Sequence, residues 1–516
     1  MKIKNIIKGF LSVAVLGLMF VSCSEDVMDS INVDQNHPLG KDVRSKYIIT
    51  NVMTNTAFGT VGGDFDAYLS IYIEHELGSH NQFLRADMRN GEPSSSSTFN
   101  NVWATTYKNL TDAKIIIDKC SNPEDPDAGN DVTLGASQLL AAYNLAVLTD
   151  MYGDVPWTEA CDYTVSRRPQ IDKQEAIYAD ILAYIDAAIV NLQKGDVSSM
   201  GSQDLIYGGD KEKWLKTAYG LKARYTMRLL KRSANVQADM QTVIDCVSKS
   251  FASAAEQCSF KLYGGTQINP KWGINSARGG LAASKSMFDR LVELEDPRIG
   301  RCFWDPNSDN SEIFASADAE GIDIQPNGGG YEGQLKFTVS TFIAATFAPT
   351  HLISYHEVLF LKAEALFRLD RLDEAKAALK EAVVAGFANM ETNVSAAISG
   401  NWSLTATTPA VTSEEAAAYF DGKLSSLFDS NPLKTIMIQK YIAFWGSNGE
   451  STEAYNDVRR MKAMGTDFYD FQNPNNFPLR TPYGNSDTTT NPNVEAAYGD
   501  GSYVYAENVW WAGGSR

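Results

Sequence analysis

Positive charge is scarce in this sequence. Its 45 lysine and arginine residues stand against 63 aspartate and glutamate residues, so the formal net charge is -18 at pH 7. A protein that binds nucleic acid needs clustered Lys and Arg to face the phosphates, and a protein held electrostatically on anionic lipid needs the same. The composition therefore argues against both kinds of partner.

Histidine is also rare, with five residues in 516. His75 and His80 are five residues apart, as are His351 and His356, which places the two rings of each pair roughly 140° apart on a helix. Neither pair can share a metal ion in that arrangement. The glycine run 328–333 is not followed by a helix start, so it predicts a loop and not a dinucleotide site. We expect no metal and no cofactor.

Cysteine is too sparse and too irregularly spaced for a disulfide framework or a structural zinc site. After Cys23 five cysteines remain, without a CxxC spacing. A single Cys246–Cys258 disulfide and buried free thiols both fit this pattern. Segment 305–312 alternates oxygen-bearing side chains as a calcium loop does, but Asn310 stands where such a loop needs glycine. We interpret it as a solvated loop, with calcium binding left open.

The sequence has no apolar run of the ~18 residues that a membrane-spanning helix needs. Residues 1–22 combine a basic start with a 13-residue apolar stretch, Gly9 to Val21, which is typical of a signal peptide. Ser22–Cys23 resembles the lipobox of bacterial lipoproteins, although Phe20 stands at the usual Leu position. We expect lipidation at Cys23, and the acidic residues after it resemble a surface-export signal of Bacteroidetes lipoproteins.

The domain organisation predicted from the sequence is a signal peptide over 1–22, an acidic tether over 23–40 and a single domain over 41–516. Within that domain, the helical scaffold is expected mainly at 41–232 and 351–390. The loop-rich, ligand-binding part is expected mainly at 250–350 and 390–516.

Apolar residues recur with helical spacing along most of this domain. The predicted helices cover 41–58, 66–77, 98–119, 133–151, 173–193, 211–232, 237–249, 281–294, 354–369, 372–386, 412–427, 432–446 and 451–463. Ser354 with Glu357 and Thr412 with Glu415 have the spacing of a capping box. Long ordered loops are expected at 258–280, 300–350 and 464–516, with a short strand at 334–338.

Segment 354–386 carries the pattern of a tetratricopeptide unit. Ala363, Ala375 and Ala382 fall at its three small positions, and Leu366, Leu372 and Leu379 fall at apolar ones. Small residues allow two antiparallel helices to approach closely and stack on the next pair. An isolated helical hairpin with an alanine-rich seam would show the same pattern, but looser helix pairs at 98–151 and 173–232 favour a stacked set. The fold class predicted is therefore mainly α, a helical-repeat scaffold with long loops and few strands.

Several motifs resemble those of the SusD/RagB-like outer-membrane lipoproteins, in their second sequence subgroup. The most specific is Tyr-Gly-Asp-Val-Pro-Trp-Thr-Glu-Ala at 152–160. Further matches occur, in the family's order, at 209–214, 221–228, 357–365, 439–443, 453–460 and 508–511. The resemblance extends over nearly the whole mature chain and is weakest at 233–350.

This resemblance implies an α-helical fold with a tetratricopeptide scaffold and a non-enzymatic role. A protein of this kind would capture a nutrient, usually a glycan, for a SusC-like TonB-dependent transporter in the outer membrane. Binding of peptides or another nutrient in the same role is the alternative. A hydrolase of the outer membrane or a purely structural helical adaptor would be a different class.

Aromatic residues are plentiful, with 9 Trp, 23 Tyr and 23 Phe, and they suit sugar binding because sugar rings pack on aromatic faces. Trp103, Trp157, Trp214 and Trp445 are expected in the core, and Trp510 and Trp511 are expected to anchor the C-terminal tail. Trp402 stands in a loop and is the next candidate if the site lies elsewhere. The predicted ligand-binding residues are Asn81, Phe83, Arg85, Trp272, Trp304 and Tyr331. Their loops are predicted to converge, and the 79–97 loop lies near where starch-binding relatives carry part of their sugar site.

Overall fold

The computed structural model describes residues 43–89, 98–162 and 164–516, so Cys23 and the predicted signal peptide lie outside the described residues. Residues 45–516 form one unit. Its helices are α1 Ser45–Asn55, α2 Asp64–Tyr72, α3 Asn81–Asp87, α4 Asn100–Ser121, α5 Asp131–Tyr152, α6 Gln174–Asn191, α7 Lys211–Arg228, α8 Val236–Ser248, α9 Pro270–Arg278, α10 Lys285–Glu293, α11 Ile299–Cys302, α12 Tyr355–Arg368, α13 Leu372–Ile398, α14 Ser413–Tyr419, α15 Ser425–Ser430, α16 Pro432–Trp445, α17 Ser451–Ala463, α18 Asn485–Thr490, α19 Pro492–Tyr498 and α20 Tyr503–Ala506.

The strands are short and pair two by two, always antiparallel. They are β1 Glu76–Gly78, β2 Val155–Pro156, β3 Ile171–Asp172, β4 Cys258–Phe260, β5 Leu281–Ala283, β6 Phe303–Trp304, β7 Val339–Ser340 and β8 Thr350–Ile353. β1 pairs with β5, β2 with β3, β4 with β8 and β6 with β7. Each pair joins segments that are distant in the chain or separated by a loop, so the strands serve to pin loops onto the helices.

Helices that follow one another in the chain pack against one another, as in a repeat scaffold. α4 packs on α5, α5 on α6, α7 on α8, and α12 on α13. Every residue of α5 from Val132 to Tyr152 is buried, so the helix has no side that faces solvent. It is long and apolar enough to span a membrane, but its apolar surface is enclosed by the protein.

The predicted tetratricopeptide hairpin is formed by α12 and α13. Ala363, Ala375 and Ala382 are fully buried between helices, as their pattern predicts. Asp370 adopts a left-handed φ of 59° in the turn between the two helices. α13 continues to Ile398, beyond the predicted end at 386, and Leu372 at its start is exposed although it fits an apolar position of the pattern.

Buried ion pairs join this hairpin to the neighbouring helices. Arg224 of α7 donates to Glu357 of α12 through Nε, at 2.7 Å, and through Nη2, at 2.5 Å. Arg460 of α17 forms a bidentate pair with Glu364 of α12, at 2.6 and 2.7 Å. These four side chains are all nearly or fully buried, so the hairpin is fixed by charge as well as by apolar packing.

The helix pattern predicted from the sequence is largely confirmed, including the reciprocal capping box of Thr412 and Glu415. The expected loops were wrong in part, because the 79–97 loop contains α3, the 258–280 loop contains β4 and α9, the 300–350 loop contains β6 and β7, and the 464–516 loop contains α18, α19 and α20. The predicted helix 281–294 begins with β5, and no strand forms at 334–338 within the described residues. Cys246 and Cys258 are free buried thiols. Trp103, Trp157, Trp214 and Trp445 are buried, as expected.

Candidate ligand-binding site

An open pocket lies over the N-terminal half of α3. It has a volume of about 510 Å³ and is lined by Asn81, Gln82, Arg85 and Arg278. α3 begins directly after β1, whose pairing with β5 fixes the direction in which the chain enters the helix. Asn81 takes a left-handed φ of 50° at this entry. Two predicted site residues, Asn81 and Arg85, are therefore brought together on one surface.

The fourth lining residue, Arg278, comes from the last turn of α9. That helix has strong local signals: the Asn269 side chain caps its start, Pro270 occupies its first turn, and Gly279 ends it in a left-handed conformation with φ 57°. The Arg278 guanidinium donates to the Tyr68 hydroxyl at 3.0 Å. Arg278 is thus held in place while it faces the pocket.

Phe83 lies beneath this pocket and is fully buried. Its ring packs against Tyr68 at 5.1 Å between centroids, and the Arg278 guanidinium lies 5.4 Å from its centre. It was expected to touch a ligand directly. In this conformation Phe83 instead supports the pocket from below, because packing against Tyr68 removes its ring from the surface.

Tyr331 stands on the glycine segment 328–333, which passes beside α3. The segment is held there by a hydrogen bond from the Gly333 N–H to the Ser79 carbonyl, at 2.8 Å. The Tyr331 ring folds over Gly329, where an added Cβ would lie 2.3 Å from the ring. The Tyr331 side chain is 38% exposed, so it can offer an aromatic face to a ligand.

Trp272 lies six residues before Arg278 on α9. It is partly exposed, but its indole Nε1 is itself buried and has no hydrogen-bond partner among the described residues. The exposed part of the ring can therefore offer a ligand an aromatic face, and not the N–H donor. The structure places Trp272 on the same helix as the pocket residue Arg278.

Trp304 belongs to a different place in the fold. It lies in β6, pairs with Val339 of β7, and is 2% exposed. Its ring packs on Trp402 at 5.4 Å, and Trp402 is the more exposed member of this pair. Trp304 was expected to line the site, but here it is a core residue of the β6–β7 region because Trp402 and β7 cover it.

The pocket offers mainly hydrogen-bond donors. Arg85 and Arg278 carry positive charge, and the amides of Asn81 and Gln82 can donate and accept. Asp64 faces Arg278 from α2; its burial raises the pKa of the carboxyl, and the nearby Arg278 charge partly opposes this. Such a set suits hydroxyl or carboxylate groups on a ligand that is held and released.

Two lining residues were missed by the sequence analysis, Gln82 and Arg278. Arg278 had a usable signal, because Asn269–Pro270 and Gly279 mark the two ends of a short helix that would place Arg278 in its last turn. Gln82 had none, since nothing in the sequence marks α3 as a helix beside this pocket.

Comparison with known proteins gives consistent matches over most of the chain. The model of a family described as "SusD-like_2: Starch-binding associating with outer membrane" matches residues 73–483. A SusD/RagB family protein of Bacteroides thetaiotaomicron is 48% identical, with a TM-score of 0.88, covering 92% of this chain and 100% of that one.

More distant structures share the fold. A chitin-binding protein is 22% identical, with a TM-score of 0.66 over 90% of this chain and 100% of its own. A SusD homolog of Bacteroides fragilis is 18% identical, with a TM-score of 0.68 over 92% of this chain and 100% of its own. The comparison with curated proteins gave no match.

Proposed function

The chain belongs to the SusD-like family, whose members bind starch or other nutrients in association with the outer membrane, and on this premise we propose that it binds a glycan at the cell surface. It captures an oligo- or polysaccharide and delivers it to a SusC-like TonB-dependent transporter. The proposal assigns it no catalytic role.

The pocket at α3 is the observation that carries this proposal. Asn81, Arg85 and Arg278 provide donors for sugar hydroxyls, while Tyr331 on the adjacent segment provides an aromatic face. A protein that must release its ligand to a transporter needs modest affinity, with Kd on the order of μM to mM. A stacking contact adds about 0.5–1.5 kcal/mol beyond buried area, so a few such contacts reach that range.

Peptides are the second candidate ligand. Arg85 and Arg278 face one pocket, and paired guanidinium groups bind carboxylates as well as hydroxyls. The C-terminus or acidic side chains of a peptide would therefore suit the same surface. An acidic glycan would use the same chemistry.

The ligand class is tested by native electrophoresis through gels containing amylopectin, glycol chitin, xylan or polygalacturonate, and by calorimetry with a casein digest. We expect at least one polysaccharide to retard the wild-type protein and Arg85→Ala to lose most of that retardation. Arg371→Ala, at an exposed arginine in the α12–α13 turn, is the matched control and should migrate as wild type. Heat release with the digest alone would favour peptides, and normal retardation of Arg85→Ala would place the site elsewhere.

Hydrolysis is tested on the same polymers. We expect no new reducing ends and no new peptide termini after prolonged incubation with the purified protein. Turnover that scales with protein concentration and survives further purification would contradict the proposal of a pure binding protein.

Attachment to the membrane is proposed to occur through acyl chains on Cys23. Two or three chains hold a protein stably at a bilayer, whereas one does not. Cys23→Ala should leave the protein unlipidated and soluble when cells are fractionated. A variant that stays in the outer-membrane fraction as firmly as wild type would overturn the anchor.

The transporter partnership is proposed from family membership. Affinity purification of the tagged chain from solubilised outer membranes should recover a TonB-dependent transporter, identified by mass spectrometry. Recovery of the chain alone, under detergents that keep other outer-membrane complexes intact, would contradict it.

A further inference from the structure

The start of the glycine segment is bound by one buried carboxylate, that of Asp87 at the end of α3. Asp87 Oδ1 accepts a hydrogen bond from Asn327 Nδ2 at 2.7 Å, and Oδ2 accepts one from the Gly328 backbone N–H at 2.6 Å. The Asp87 side chain is fully buried. Both of its oxygens are thus used to bind a segment that lies 240 residues further along the chain.

The Asn327 side chain extends this connection to the two strands beneath. Its Nδ2 also donates to the Glu76 carbonyl of β1 at 2.9 Å, and its Oδ1 accepts from the Ser284 hydroxyl, next to β5, at 2.6 Å. Because one amide bonds α3, β1 and the end of β5, the segment cannot shift relative to α3 without breaking several bonds.

A third segment closes the junction. Asn473 Nδ2 donates to the backbone carbonyl of Asp87 at 2.7 Å, and the Asn473 N–H donates to the Glu74 carboxylate at 2.8 Å. Gly328 has a left-handed φ of 77°, and a Cβ there would lie 2.4 Å from Asn473 Oδ1. Only glycine fits between Asp87 and Asn473, so the tight approach is built into the sequence.

The exposed ring of Tyr331 lies between two anchors on the α3 region. Asp87 holds Gly328 at one end, and the Ser79 carbonyl holds Gly333 at the other. We infer that Asp87 is a positioning residue of the glycan site, which holds Tyr331 beside Asn81 and Arg85. This inference rests on the proposed function, since it assigns Tyr331 a place on the ligand surface.

The cost of burying this carboxylate supports a role beyond filling the core. Burial raises the pKa of Asp87 to about 7, although the Gly328 and Asn327 hydrogen bonds and the Arg89 charge act in the opposite direction. A carboxylate is costly to bury unless its oxygens are bonded, and an apolar side chain would stabilise a purely structural site better. The bonds that offset the cost here come from Asn327 and from Gly328 at the start of the glycine segment.

The first test measures hydrogen exchange in the ligand-free protein. Asp87→Asn replaces one acceptor with an N–H that faces donors, so protection of the hydrogen-bonded Gly328 and Gly333 amides should fall about tenfold. Asn327→Ala removes the amide that donates to Asp87 Oδ1, and it should lower protection by the same factor without altering α3. Asp318→Asn changes an exposed aspartate in the same 305–338 connection and should leave protection unchanged. Normal protection in both Asp87→Asn and Asn327→Ala would overturn the inference.

The second test is a double-mutant cycle of binding, using the polysaccharide that retards the wild-type protein. Asp87→Asn and Tyr331→Ala should each raise Kd roughly two- to tenfold, the range of one stacking contact. The double variant should be no weaker than Tyr331→Ala alone, because Asp87 acts through Tyr331. Additive losses would show that Asp87 acts by another route and overturn the inference.

The two tests separate this inference from the proposed function. If no polysaccharide or peptide binds the wild-type protein, the proposed function fails, and the exchange experiment still decides whether Asp87 fixes the segment. If the wild type binds and exchange at 328–333 does not respond to Asp87→Asn, the positioning role alone fails.

Discussion

The ion pair between Arg460 and Glu364 offers a sharp test of how the helical scaffold is held together. The guanidinium of α17 meets the carboxylate of α12 through two bonds, at 2.6 and 2.7 Å, and both side chains are 1% exposed. Arg460→Met keeps a long side chain of similar reach and removes the charge. The substitution therefore isolates the electrostatic link between the hairpin and α17.

The expected loss of stability depends on which charged partners the carboxylates of Glu364 and Asp457 keep in the variant. Removing one partner of a buried pair costs about 3–5 kcal/mol, because the other charge stays buried without compensation. Glu364 keeps Arg368 at 2.7 Å, and Asp457, the second partner of Arg460, keeps Lys440 at 2.7 Å. We therefore expect a loss at the lower end of that range, about 3 kcal/mol.

The loss should depend on pH. Burial alone would raise the pKa of Glu364, but Arg460 and Arg368 outweigh it and hold this pKa well below the ordinary 4.5. A depressed carboxyl pKa contributes stability that is present above pH 4.5 and is lost on further acidification. Between pH 7 and pH 3.5 the free energy of unfolding should therefore fall more for the wild type than for Arg460→Met. The difference in unfolding free energy between the two proteins should narrow by about 1 kcal/mol.

Urea unfolding at pH 7 and pH 3.5 provides the measurement. The matched control is Arg371→Met, since Arg371 and Glu374 form an exposed pair and such pairs contribute little to stability. The control should unfold at the wild-type midpoint at both pH values. Equal midpoints for Arg460→Met and Arg371→Met would refute the view that buried charge fixes the hairpin to α17.

Three further predictions follow from burial and charge. Ala375→Leu should overpack the α12–α13 seam and cost about 1–3 kcal/mol in thermal unfolding, and an unchanged midpoint would argue against close stacking there. Burial raises the pKa of Glu76 to about 7, so wild-type stability should fall as pH rises from 4.5 to 7. Glu76→Gln should then stabilise the protein by about 1–3 kcal/mol more at pH 8 than at pH 4.5, and a pH-independent difference would contradict this. Trp304→Ala should lower the free energy of unfolding by about 3–5 kcal/mol because the ring is buried. Trp272→Ala should weaken glycan binding with little change in melting temperature, and a stable Trp304→Ala with weakened binding beside an unstable Trp272→Ala would exchange their roles.

Long helices could be predicted from the sequence because their stability comes from a repeating apolar face. The hairpin of α12 and α13 shows this, since Ala363, Ala375 and Ala382 mark a seam that requires small residues. The Thr412 capping box likewise fixes a helix start through a purely local hydrogen bond. Local rules of this kind are visible in one sequence.

The candidate site could be predicted only in part, because distant segments decide what is exposed. Asn81 and Arg85, two of the predicted ligand-binding residues, line the pocket, and Tyr331 lies on a segment bonded to the α3 region. Tyr68 packs on Phe83 and Trp402 packs on Trp304, so neither Phe83 nor Trp304 is exposed. The sequence around Phe83 and around Trp304 gives no sign of these contacts. Aromatic residues in such segments carry no local signal that separates a binding face from a buried one.

The expected strand at 334–338 failed for the same reason. Leu335 takes a left-handed φ of 48°, and its N–H bonds the Gly279 carbonyl at 2.9 Å, so the segment follows α9 instead of extending. Strand pairing begins only at Val339, where β6 is available as a partner. Contacts with distant parts of the chain therefore decide that 334–338 forms a loop and not a strand.

A crystal structure of the protein with an oligosaccharide fragment of the polymer that retards it would test the central claim most directly. We expect a sugar ring against Tyr331, with hydroxyls within hydrogen-bond distance of Asn81, Arg85 or Arg278. Sugar bound only at another surface, such as the groove lined by Tyr107 and Arg167, with the α3 pocket empty, would contradict it.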